Sequence, residues 1–302
     1  MSLTEFVGIP AVRDRIGETF PNEGTRPASD LKASWQTDQY ALVGTAFDYL
    51  LRFWLRQHAG ETTTRPWVSK TALEVTKQEF PDRVDEVKTV IDRAEDERDA
   101  FLETGVLTRQ LVESTLDLAR VDWIYRSGRF PEDLGEYDQE SVLDCLQLME
   151  ILNDCSAFAD VSHATLNPGF GIGSWLVGGA DADLILDGCL LDIKATSKPT
   201  FKLDYWRQLV GYLTLADIHA ELQDGFYEQF GDLGYDTTPL PPVESFGVYY
   251  ARHGEVVTLD ASTVYADPTY PEFREWFIQT ALEQYHPDES TLEAMLLGGF
   301  RT

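Results

Sequence analysis

Apolar residues recur every three or four positions in parts of this chain and run almost unbroken in others, and the two patterns predict different elements. Leu42, Thr45, Ala46, Tyr49, Leu50, Phe53 and Trp54 mark a helix over 40–57. Val87, Val90, Ile91, Ala94, Phe101 and Leu102 mark a second, which Gly105 can end. Leu111, Val112, Leu118, Ala119 and Ile124 mark a third that stops near Gly128, and a fourth is expected over 141–158. Residues 1–38 are polar, with Pro and Gly breaks, and read as irregular; 61–69 reads as a loop. From 162 to 195 glycines punctuate short apolar runs, a strand-and-turn pattern. A helix over 203–222, a Gly/Pro-rich loop over 223–243, strands over 246–252 and 255–260 about a His253-Gly254 turn, and a helix over 271–284 complete the string. This order predicts one α/β or α+β domain over 1–302 with a helical insertion at 58–158.

Composition changes this picture in one respect. Among 302 residues, 52 Asp and Glu face 24 Lys and Arg, a formal net charge of −28, while 43% of the chain is hydrophobic. A core is therefore available and the charge does not signal disorder. The acid is dispersed, and only 7 of the cations are lysine. That combination resembles proteins of salt-accumulating organisms. It argues against a broad cationic surface for nucleic acid, though not against a local site built from a few cations or a metal. No apolar run approaches the roughly 18 residues of a membrane span. The first residues lack the basic-then-apolar order of a signal peptide, so a cytoplasmic protein is expected. Cys145, Cys155 and Cys189 are too scattered for a disulfide framework or a zinc or iron–sulfur ligand set.

The chemistry concentrates in residues 178–199, GGADADLILDGCLLDIKATSKP. Asp187-Gly188 between apolar runs is a two-residue hairpin signal. With that turn, Leu186 faces Cys189, Ile185 faces Leu190, Leu184 faces Leu191, Asp183 faces Asp192 and Asp181 faces Lys194. Alternation then sets Asp181, Asp183, Asp192 and Lys194 on one face and buries Leu184, Leu191 and Ile193 on the other. Opposed residues have Cβ atoms about 4.5–5.5 Å apart, so two carboxylates there repel and call for a cation. Lys194 is one; a divalent ion is another. Oxygen ligands without nearby Cys or His favour Mg²⁺ or Mn²⁺ over Zn²⁺. Against the reading of an incidental acidic face stands the lysine distribution: Lys194, Lys198 and Lys202 cluster beside the hairpin in a lysine-poor chain.

Asp183 followed by Asp192-Ile193-Lys194 resembles the signature of the PD-(D/E)xK nuclease superfamily, and Gln208-Leu209-Val210-Gly211-Tyr212 matches the QxxxY motif of its RecB-type branch. Gly44-Thr45-Ala46-Phe47-Asp48 is similar to that branch's first motif, GTxxH, with Asp48 in the histidine position. Thr45, Tyr49 and Phe53 lie on or beside the Asp48 face, which draws Asp48 toward the core. The resemblance covers about 40–57, 160–220 and part of 246–260. It implies a restriction-endonuclease-like core: a helix, a three-stranded sheet with a hairpin, a helix and further strands. It implies a Mg²⁺ or Mn²⁺ ion held by Asp183 and Asp192 with the Ile193 carbonyl, and Lys194 orienting water or stabilising the phosphoryl oxygens. Gln208 and Tyr212 would position the strand, and Asp48 would be an outer ligand. Either Asp181 or Asp183 can be the first-strand acid. The cysteine cluster of some relatives is missing, so no iron–sulfur cluster is expected.

The implied activity is a metal-dependent nuclease, with DNA the expected substrate, no membrane association, and protein partners in a repair or defence complex. The alternatives are an inactive binding component of such an assembly and a purely structural protein. The other constellations carry less. His58, His163, His219, His253 and His286 lack zinc-site spacing, with His163 nearest the strands. Gly169-x-Gly171-x-Gly173 lacks the Lys of a phosphate loop and reads as a flexible loop. No G-x-S-x-G occurs. Trp175, Tyr205 and Trp206 could stack on bases, although helix packing is the commoner role of the last two.

Overall fold

The computed structural model describes residues 2–223 and 237–286. Its centre is a six-stranded mixed sheet in sequence order: β1 (Glu61–Thr64), β2 (His163–Leu166), β3 (Leu184–Leu186), β4 (Cys189–Lys194), β5 (Ser245–Tyr250) and β6 (Glu255–Asp260). β1 and β2 are parallel, as are β4 and β5; the other neighbours are antiparallel. Helices cover both faces. On one lie α1 (Leu3–Gly8), α2 (Pro10–Thr19), a short α8 (Ile172–Leu176), α9 (Leu203–Gln223), α10 (Ser262–Tyr265) and α11 (Tyr270–Tyr285), packed on Ile185, Leu190, Phe246 and Val248. On the other lie α3 (Tyr40–His58), α4 (Val68–Glu79), α5 (Val84–Thr104), α6 (Arg109–Ser127) and α7 (Gln139–Asn153), packed on Leu184, Leu186, Leu191 and Tyr249. Burial on both faces explains the near-continuous apolar run of β3 and β4. Among the described residues no helix is long and apolar enough to cross a membrane.

The hairpin register is the one the sequence predicts: Leu184, Ile185 and Leu186 pair with Leu191, Leu190 and Cys189. Asp187 (φ 45°) and Gly188 (φ 81°) are both left-handed, as the tight hairpin turn requires. The Asp187 carboxylate also accepts the backbone N–H groups of Ser162 (3.0 Å) and His163 (2.8 Å), tying the turn to β2. α5 and α6 end at left-handed Gly105 and Gly128, as expected.

Four expectations need correction. Residues 3–19 form α1 and α2, because Leu3, Phe6, Val7, Val12 and Ile16 recur at helical spacing and bury on α9 and α11. Residues 61–64 are an edge strand, and α4 begins at Val68; every β1 residue is exposed, so its sequence has no apolar alternation to betray it. The 58–158 block is thus helical apart from one strand that joins the main sheet. The α7 helix stops at Asn153, five residues early, with a 3₁₀ turn over 156–158. The Gly169–Gly173 stretch is a tight turn that leads into α8, whose backbone hydrogen bonds hold it. Of the expected loop over 223–243, residues 224–236 lie outside those described, and 237–244 are irregular.

Candidate active site

Continuing the β3–β4 ladder one step past Leu184 and Leu191 sets Asp183 opposite Asp192. The Ile193 N–H donates to the Asp183 carboxylate at 2.6 Å, and the Lys194 ammonium lies 2.6 Å from the Asp192 carboxylate. Asp192 is buried at 2% exposure. Burial first, and the charge of Asp192 second, push the Asp183 carboxyl well above the usual carboxylate range. Lys194 is held above its ordinary value: its burial would lower it, but Asp192 and Asp183 outweigh that. The ammonium also lies 5.0 Å from the centroid of the Tyr205 ring, a cation–π contact. The Ile193 side chain points to the opposite face and is half-buried against the helical block.

Asp183 opens into a cavity of about 650 Å³. Four other residues singled out in the sequence line it: Asp48 from α3, Asp181, and Gln208 and Tyr212 from α9. Asp192, Ile193 and Lys194 are not among the residues that line it. The α9 pair is linked, with Gln208 Nε2 donating to the Tyr212 hydroxyl at 2.9 Å and that hydroxyl donating to the Asp181 carbonyl at 2.7 Å. Their spacing of four on one helix permits the first bond. The second pins the approach to β3, so Tyr212 positions the strand that carries Asp183.

Asp181 differs from expectation. Its register partner would be Lys194, but the regular ladder stops at Leu184, and Asp181 bridges to Gly169 instead. Its carboxylate is exposed and pairs with Arg65. Asp48 is half-buried and ion-paired with Arg52 one turn on. Burial raises its carboxyl to about 6; Arg52 opposes the shift and Asp183 adds to it. Asp48 is therefore close enough to sense Asp183, and its compensating cation is an arginine.

Sequence reasoning missed three residues of this site. Arg52 lies at i+4 from Asp48, a signal that was legible. Asp122 on α6 accepts the Tyr49 hydroxyl at 2.9 Å, and burial raises its carboxyl to about 7. Its signal was an acid inside the apolar pattern of α6. Arg126 also lines the cavity, and nothing local marks it. Elsewhere, His163 is exposed at the start of β2 beside Glu61 and Asp187, and is not among the residues lining the cavity. Trp206 is buried and donates to the Phe20 carbonyl at 2.8 Å, and Trp175 stacks on His286, so both are packing residues.

Among the described residues no three His, Cys, Asp or Glu side chains converge closely enough to hold a metal ion by themselves. The donor set still suits Mg²⁺, which takes one or two carboxylates and fills its shell with water and phosphate. Asp183 and Asp192 would supply the two carboxylates, and a cation would relieve the repulsion that, after burial, raises Asp183. Comparison with protein-family models, with curated proteins and with solved structures found no match.

Proposed function

We propose that this chain is a metal-dependent nuclease with a restriction-endonuclease-like core, hydrolysing phosphodiester bonds in nucleic acid, DNA first among them, in a salt-rich cytoplasm. The observation that carries the reading is the buried Asp183–Asp192 opposition with Lys194 at 2.6 Å, at the edge of a cavity that α3 and α9 also enter. Opposing two acids in a buried hairpin costs stability, and a purely structural protein has no use for that cost. Asp183 and Asp192 would hold Mg²⁺ or Mn²⁺, which when bound supplies an acidified water and polarises the phosphate. Lys194 holds the Asp192 carboxylate in place through their 2.6 Å ion pair, and stands ready to meet charge on the phosphoryl oxygens. Gln208 and Tyr212 fix the Asp181–Asp183 segment. Protein partners in a repair or defence assembly are part of the same proposal.

A second reading, a non-catalytic binding component, draws on the Asp48–Arg52 pair: the first-motif position is already neutralised and offers no third ligand. One experiment separates the two. The protein is incubated with labelled single- and double-stranded DNA and RNA, with Mg²⁺, Mn²⁺ or EDTA, from low to molar salt. Metal-dependent cleavage that disappears in Asp183→Asn and Asp192→Asn supports the nuclease. Cleavage at the parental rate in both variants would sink the assignment, and binding without cleavage would favour the second reading.

A further inference from the structure

A second cavity, of about 470 Å³, adjoins the first. Asp122 and Arg126 of α6 line both, so the end of α6 forms the wall between them. Two large rings stand on that wall. Trp123 lines the second cavity and Tyr125 the first, and each is 54% exposed. Neither stacks on another aromatic ring among the described residues, although most of the chain's tryptophans and tyrosines pack on neighbours. Two exposed arginines accompany them. Arg126 sits on the shared wall, and Arg129, just past the αL end of α6, lines the second cavity. Neither forms an ion pair within 4.0 Å among the described residues. Most other described arginines hold a carboxylate within 4.0 Å; Arg126 is near enough to Asp48 and Asp122 only for its charge to lower both carboxyls. The nearby Arg120, by contrast, is occupied by Asp117 and Asp133.

We infer that the α6 end is a guide for single-stranded nucleic acid, carrying the strand from the second cavity over Trp123, Arg126 and Tyr125 into the cavity of Asp183. This inference rests on the nuclease-fold reading and adds its substrate class. Exposed, unstacked rings offer platforms to bases whose faces are free, which duplex bases do not have. Arg126 and Arg129 supply phosphate contacts in a surface otherwise too acidic to attract a polyanion. The rings contribute a part that salt does not screen, which suits a strand-binding site in strong salt.

The test uses full-length protein carrying Asp192→Asn, so that binding is read without cleavage, and a fluorescein-labelled 12-nucleotide oligo(dT) followed by anisotropy over a salt series. Trp123→Ala is expected to weaken binding about tenfold at every salt concentration, because stacking is lost and no charge changes. Arg129→Gln is expected to weaken it and to flatten the slope of log Kd against log salt by about 0.7, the value of one single-strand phosphate contact. Lys77→Gln, outside both cavities, serves as the surface control. Trp123, Arg129 and Lys77 are exposed, and melting unchanged from the Asp192→Asn parent confirms that the variants fold. Equal Kd values for Trp123→Ala, Arg129→Gln and the parent overturn the inference, and leave the nuclease reading standing if the wild type cleaves. Tighter binding of a blunt duplex than of the single strand also overturns it. Weakened binding in both variants with no cleavage by the wild type upholds the guide and removes the nuclease.

Discussion

The Lys194 ammonium lies 2.6 Å from the Asp192 carboxylate, two residues away on the same strand and the same face. Side chains at i and i+2 of a strand project to one side, and here both are drawn under α9. Asp192 is 3% exposed at its side chain and Lys194 23%. Lys194→Met leaves the acid buried beside Asp183 with no cation. Stability should fall on the order of 2–3 kcal/mol, somewhat less than for a fully buried pair. Adding Asp192→Asn should restore most of the loss, since the stranded charge is then gone. Urea unfolding of both single variants and the double variant checks this, and additive losses would mean that the two side chains do not interact.

Asp122 gives a pH dependence. Its folded-state carboxyl stands at about 7, raised chiefly by burial, against 3.8 when unfolded. A raised carboxyl means that the folded state holds its proton longer than the unfolded chain. The stability this contributes is present below pH 4 and is lost as pH rises toward 7. Asp122→Asn keeps an acceptor for the Tyr49 hydroxyl and removes the titration. The variant should match the parent near pH 4 and melt higher at pH 8. A parallel offset of the two melting curves at all pH values would contradict the buried-acid account.

Tyr212 bridges Gln208 and the Asp181 carbonyl through one hydroxyl. Tyr212→Phe keeps the ring against Phe170, 5.6 Å between centroids, and leaves the part-buried Asp181 carbonyl without this donor. The expected loss is about 1–2 kcal/mol. If the hydroxyl positions the Asp183 strand, Mg²⁺-induced stabilisation should weaken as well, while Gln208→Ala should do less. Unchanged Mg²⁺ response in Tyr212→Phe would limit this residue to packing.

Gly211, between those two residues, meets α1. A Cβ added there would lie 2.9 Å from Leu3 Cδ1. The blocking atom is the end of a flexible side chain, so Gly211→Ala should cost only about 1 kcal/mol. Leu3→Ala in the same protein should make Gly211→Ala nearly neutral. Calorimetric melting of the four combinations reads the coupling, and a large loss in Gly211→Ala that Leu3→Ala does not relieve would place the clash elsewhere.

The residues alone determined the hairpin, because its determinants are local. Asp187-Gly188 can turn only one way, and the alternation of flanking residues then fixes each partner through Leu184 and Leu191. The helices α3, α5, α6 and α9 were legible for the same reason: periodicity and terminal glycines act within a few residues. So was the single helical face of Gln208 and Tyr212. The tertiary structure decided the rest. Asp181 turns from Lys194 to Arg65, a partner 116 residues away, because its strand leaves the ladder at Gly169. Asp122 joins the cavity from a helix whose sequence shows it only as a misplaced acid. β1 pairs in parallel with β2 across about 100 residues, with four exposed threonine-rich positions that carry no apolar signal. In each case the choice is made by what folding brings alongside, and a buried charge takes the nearest partner in space, whatever its place in the chain.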